Sequence, residues 1–314
     1  MVTFGESMLR LSVPSGTRLE VTSHLDLDVA GAEANTAIAL AQLGRRVTWV
    51  SRLPDGPLGR RVLRDLRASG VDVSHVSMVA GGRMGVYYVE LSAPPRPVSV
   101  VYDRAGSAAS AMTADDFPFD LLETASLVHL TGITPALSPE CRDLTLQVAD
   151  RVRSSSIRLS IDVNYRSKLW PPEQARDSVT EIASGADLVV LTREDARDVF
   201  DITGEPEEVA ERARKMLETE RLVLTLGEGG SLWATEGGLG AMAAFPTSIV
   251  DRLGAGDAFM AGVIDGLLDD DLEGGIRTGT ALASLALSVQ GDHVAATRDE
   301  IERMIEGGSR SVDR

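Results

Sequence analysis

The stretch DRLGAGDAF, residues 251–259, sets three very small residues, Gly254, Ala255 and Gly256, ahead of a lone carboxylate, Asp257, and follows them with an apolar run. Read as a strand end turning into a helix, IVDRLGAGDAFMAGVIDGLL presents bare backbone N–H groups at the positive helix terminus, an anion cradle. Asp257 then falls in the first helical turn, close enough to take the proton of a hydroxyl while the cradle stabilises negative charge on a phosphoryl group in transfer. A plain helix start looks similar, because Asp is favoured in a first turn and glycine permits tight packing. The stretch therefore needs support from the rest of the chain.

Other phosphate-binding devices are missing. Lys168 and Lys215 are the only lysines among 31 basic residues, and neither follows a glycine, which removes the P-loop. No G-x-G-x-x-G opens a helix after a strand. The single Cys141 cannot form an internal disulfide, and the four scattered His residues give no metal-ligand spacing. A net charge of −16 argues against a nucleic-acid partner, whose phosphates are bound by clustered Lys and Arg. The scarcity of lysine with surplus acid fits a halophilic, high-salt cytoplasm and equally fits a GC-rich genome. No run approaches the roughly 20 apolar residues of a membrane helix, and MVTFGE lacks a signal peptide's regions, so a cytoplasmic protein with no membrane partner is expected.

The elements that must position these residues alternate along the chain. VTWVSRL, SLVHLTG, IRLSIDV, ADLVVLT and RLVLTLG read as strands of a parallel sheet. EANTAIALAQLG, SPECRDLTLQVADRV and EEVAERARKMLE carry apolar residues at three- and four-residue spacing and read as helices packed on it. The expected fold is α/β, doubly wound, with a mostly parallel sheet. LDLDVAG (25–31) alternates strictly, and MGVYYVEL with VSVVYD resembles a hairpin around the turn APPRP. Such half-buried strands, contributed by about 8–30 and 84–103, suit a small β-sheet lid on a single domain spanning 1–314. Ligands of such a sheet bind beyond the carboxyl ends of its strands.

GAGDAFMAG resembles the signature of the ribokinase-like (PfkB) carbohydrate kinases. AGAEANTAIALAQLG (30–44) is similar to the family's Gly-Gly-x-x-x-Asn helix start, PDGPLG (54–59) to its Asp-x-x-Gly turn, and TLGEGGS (225–231) to its nucleotide loop. Their order and spacing span nearly the whole chain. YDRAGSAAS (102–110), HLTGITPALS (129–138) and DVNYRSKLW (162–170) are similar to the 2-keto-3-deoxygluconate kinase branch. The resemblance implies a kinase using ATP and Mg²⁺ to phosphorylate the terminal hydroxyl of that sugar acid, with Asp257 as base and 254–256 as anion hole. It implies that Arg104 and Arg166 anchor the substrate carboxylate, a task suited to guanidinium groups. Gly31, Asn35, Tyr87, Tyr102 and Asp292 are implied around the sugar, and Asn164, Thr192, Thr225, Gly227, Gly229 and Gly230 toward the nucleotide. Two departures stand out: Arg252 replaces a frequent Thr, and the family's Asn-x-x-Glu element appears as Thr192-Arg-Glu-Asp195, so no protein metal ligand is named. Family analogy also implies a homodimer or higher homo-oligomer formed through the lids. A kinase of a neutral sugar or nucleoside on the same fold is the alternative, and a non-catalytic sugar-acid sensor is a third reading that the intact Asp257 and cradle disfavour.

Overall fold

The computed structural model describes residues 1–92 and 96–307. Among these, nine strands form one sheet. Seven run parallel: β1 (Val2–Phe4), β4 (Thr48–Pro54), β5 (Val76–Val79), β8 (Leu127–Thr131), β9 (Arg158–Asp162), β10 (Leu188–Thr192) and β11 (Arg221–Thr225). An antiparallel hairpin, β12 (Ser231–Thr235) and β13 (Gly238–Met242), extends one edge, giving the order β13-β12-β11-β10-β9-β8-β1-β4-β5. Every residue of β8 is buried, as expected of a strand covered on both faces.

Helices supply that cover. One apolar cluster packs α3 (Pro139–Arg153), α4 (Pro172–Ala183), α5 (Arg193–Asp198) and α6 (Pro206–Met216) on one face. The other packs α1 (Ala32–Gln42), α2 (Pro57–Ala68), α7 (Ala255–Leu268), α8 (Leu272–Leu287) and α9 (Arg298–Ile305) on the opposite face. The chain winds outward in both directions from β1 and β8, so a topological switch point lies between them, and the crevice beyond their carboxyl ends is the place for a ligand.

The lid is a four-stranded sheet of order β3-β2-β6-β7, from β2 (Met8–Ser12), β3 (Asp26–Ala30), β6 (Val86–Glu90) and β7 (Ser99–Asp103). The expected hairpin is present, with Tyr87 opposite Tyr102 in an antiparallel pair, whereas β2 and β6 pair in parallel. Of the turn APPRP, residues 93–95 lie outside the described residues. One expectation needs correcting: among the described residues no strand runs into α7, because β13 ends at Met242 and 243–254 form no strand. Ile249 and Val250 are partly exposed, and the amides of Val250 and Asp251 donate to the Leu287 carbonyl at the end of α8 instead of to a neighbouring strand.

Helices α7 and α8 touch backbone to backbone. A Cβ on Gly262 would lie 2.2 Å from the Gly279 nitrogen, and one on Gly266 would lie 2.3 Å from the Gly275 Cα. This contact fixes where the start of α7 faces the residues of α8. Gly262→Val is therefore expected to lower the unfolding midpoint by a destabilisation of at least ~1–3 kcal/mol, read by urea titration; an unchanged midpoint would show that the two helices can separate freely.

Candidate active site

Gly254 caps α7 in the left-handed conformation (φ 77°), and a Cβ there would sit 1.7 Å from the Asp292 carbonyl oxygen. Only glycine allows both the backbone turn and this approach. The first-turn N–H groups at 255–257 have no intrahelical acceptor, and a Cβ on Gly256 would meet nothing within 4 Å, so open space lies before the helix terminus. The backbone at Gly254, Ala255 and Gly256 thus carries no bulky side chain where α7 begins.

Asp257 follows in the first turn and is buried. Its Oδ2 accepts a 2.7 Å hydrogen bond from Asn35 Nδ2, and its carbonyl accepts one from Thr36 Oγ1, so the start of α1 clamps the start of α7. Asn35 is itself oriented by the Gly31 amide, which donates to its Oδ1. Burial pushes the Asp257 carboxyl up to about 8, with Asp162 and Asp292 adding to the shift and Asn35 and Arg166 opposing it. Gly31 has a packing reason of its own, since a Cβ there would lie 2.3 Å from the Glu6 carbonyl.

At the end of β9, Asp162 is pushed up to about 7 by burial and by the neighbouring charge of Asp195. Asp195 caps α5 in a reciprocal box with Thr192, and burial raises it too. Asn164 takes a positive φ of 39° and donates to Asp162 through its backbone and Nδ2, so it orients an acid and does not line the nucleotide-side cavity described below. Arg166 is exposed and makes no salt bridge among the described residues, yet its charge acts on Asp162, Asp195 and Asp257 together.

The lid contributes a second group. Arg104 is already paired: Nε donates to Glu6 Oε2 at 2.7 Å, Nη2 bonds the same carboxylate, and Ser107 donates to its other oxygen. Tyr102 is partly exposed, stacks beside Tyr87 at 5.7 Å, and faces the cations of Arg104 and Lys168. Tyr87 donates to Asp292 Oδ2 at 2.5 Å. Asp292 also binds Arg10, a guanidinium with no exposed surface on β2, which simultaneously pairs with the equally buried Asp251. Asp251 Oδ1 in turn accepts the Leu253 amide, and its Oδ2 the Gly291 amide. The two acids flanking the cradle are thus tied to one lid strand. Arg10, Glu6, Asp251 and Asp162 escaped the sequence reading; Arg10 offered one signal, a charge placed within the apolar strand MLRLS.

On the far side of α7 lies a cavity of about 750 Å³, lined by Thr192, Thr225, Gly227 and Gly230 on one wall and by Thr280, Ala283, Ser284 and Leu287 of α8 on the other. Gly256 stands at its border with the acid cluster. Gly229 turns with this loop but does not line the space. A cavity large enough for a nucleotide therefore reaches the N-terminus of α7, where Ala255 and Gly256 line it.

The model of the pfkB family of carbohydrate kinases matches residues 1–298. The chain belongs to this family. It is 38% identical over 315 residues to a 2-dehydro-3-deoxygalactonokinase of Haloferax volcanii, covering 100% of this chain and 99% of the relative. It is 33% identical to a 2-dehydro-3-deoxygluconokinase of Bacillus subtilis, covering 93% and 90%. The crystal structure of a 2-dehydro-3-deoxygluconokinase from Thermotoga maritima superposes with a TM-score of 0.91 at 33% identity, covering 98% and 99% of the two chains. The protein is a sugar kinase with the ribokinase-like fold. No helix among the described residues is long and apolar enough to cross a membrane.

Two predictions follow from the buried charges. A carboxyl raised by folding stabilises the protein below its unfolded value, near 3.8, and that contribution is lost as pH rises through about 8. Asp257→Asn should therefore melt above the parent at pH 9, with the gap closing toward pH 4; a gap independent of pH would contradict the burial argument. Arg10→Met leaves two buried acids without a cation, and should cost about 3–5 kcal/mol in urea titration, whereas a loss below about 1 kcal/mol would show that the pairs are solvated.

Proposed function

We propose that this kinase uses ATP to phosphorylate the terminal hydroxyl of 2-keto-3-deoxygluconate, giving the 6-phosphate. The observation that carries the reading is Asp257, buried beside the open N-terminus of α7 that the cavity reaches. The sugar hydroxyl gives its proton to Asp257 as its oxygen bonds the γ-phosphorus, the bond to the β-phosphate oxygen breaks, and ADP leaves. The N–H groups at 254–256 stabilise the charge on the transferring group. Burial that pushes Asp257 up to about 8 makes its carboxylate a stronger base than an ordinary one, with the proton-accepting form growing as pH rises toward that value.

Arg166, exposed and without a salt bridge among the described residues, is the cation best placed to receive the substrate carboxylate, and Tyr87 with Asp292 supplies polar contacts from the lid side. Arg104 acts beside Glu6 and brings less net charge than the sequence suggests. That pairing is also the one observation favouring a neutral sugar, because a neutralised Arg104 has less need of an anionic partner. Mg²⁺ would supply charge neutralisation on the phosphates. Among the described residues no group of three His, Cys, Asp or Glu could hold a cation by itself, and the carboxylates lining the nucleotide-side cavity are Glu194 and Glu228.

Relatives named for both the galactonate- and the gluconate-derived acid match this chain, and these substrates differ at one hydroxyl. The test is ATP consumption with Mg²⁺ in high KCl across both keto-deoxy acids, gluconate, fructose and ribose. Turnover confined to the keto-deoxy acids is expected. Turnover on fructose or ribose alone would move the assignment to a neutral-sugar kinase.

A further inference from the structure

The cavity beside Gly256 has an unfavourable charge for a polyanion. Its described lining carries two carboxylates, Glu194 and Glu228, and a single basic side chain, Arg252. Arg252 stands two residues ahead of Gly254, at the end of the cavity where the first-turn N–H groups of α7 are unbonded. Its guanidinium contacts Glu228 at 3.3 Å through one nitrogen, with the two side chains 61% and 82% exposed. A pair this exposed is held weakly and exchanges partners readily. Its backbone is held more firmly, because the preceding Asp251 is locked by Arg10 and bonds the Leu253 amide. The result is a fixed base with a free charged head.

We propose that Arg252 is a nucleotide-binding residue that leaves Glu228 and pairs with the β- and γ-phosphate oxygens when ATP enters the cavity. A guanidinium fork matches phosphate oxygens two at a time, which the present one-nitrogen contact to Glu228 does not use. Glu228 lies on the glycine turn Gly227–Gly229, and its ion pair engages the cation that the nucleotide needs. The apolar lining residues Ala283 and Leu287 of α8 remain for the base. The inference rests on the reading that this cavity takes ATP.

The test is calorimetric titration of ATP, ADP and adenosine into the full-length protein and its Arg252→Ala, Arg252→Lys and Glu228→Gln variants, with KM measured for both substrates. Arg252→Ala should weaken ATP and ADP binding about tenfold or more, as expected for loss of a charge-assisted contact, and change adenosine binding less than about twofold. Arg252→Lys should recover part of the loss, since an ammonium lacks the fork. Glu228→Gln should leave ADP binding equal or tighter, and the KM for the sugar acid should hold steady throughout. Unchanged ADP binding in Arg252→Ala would overturn the proposal, as would equal losses for adenosine and ADP, or a Glu228→Gln variant weakened as much as Arg252→Ala. If the parent protein binds none of the three ligands, the reading of the cavity fails first and the proposal falls with it.

Discussion

No side chain fits at position 254, and much of the site follows from that. The Asp292 carbonyl occupies the place of a Cβ, and the left-handed turn there starts α7 at the mouth of the crevice. Arg10 holds Asp292 and Asp251 on either side of this turn, so the lid strand and the cradle are one mechanical unit. The glycine contacts between α7 and α8 then bring the second wall of the nucleotide-side cavity to the same helix. Three close approaches, each requiring the absence of a side chain, set the relative positions of lid, base and cavity.

Electrostatics at this terminus combine two opposing effects. A helix N-terminus favours a carboxylate by about 0.3–1 kcal/mol at exposed sites and up to ~2 when partly buried. Burial outweighs this here, since the Asp257 carboxyl is pushed up to about 8 despite its place in the first turn. Asp162 and Asp292 push in the same direction as burial, and Arg166 opposes them. Among the described residues Arg166 makes no salt bridge, so its charge is shared over Asp162, Asp195 and Asp257 and fixed to none of them.

The parallel strands and the lid hairpin were legible because their signals are local: β-branched runs for buried strands and strict alternation for half-buried ones. The start of α7 was legible for the same reason, as a run of small residues before an acid. The region before α7 was misread as a strand because Ile249 and Val250 have strand-forming side chains, while their backbone is engaged by Leu287, distant in sequence. Arg10 and Glu6 went unnoticed because a buried ion pair depends on partners 282 and 98 residues away, and no local pattern records them. Arg104 shows the converse limit: its identity is local, but the carboxylate already beside it is set by the fold.

The account stands on Asp257 as the group that takes the proton of the sugar hydroxyl. Its most direct test is a rapid-quench measurement of phosphoryl transfer by Asp257→Asn in a single turnover, with ATP affinity measured on the same preparation. The account predicts ATP affinity within about twofold of the parent and a transfer rate lower by ~10²-fold or more, the contribution expected of a general base. Transfer near the parental rate with ATP bound would remove Asp257 from that role and leave the cradle alone to explain catalysis.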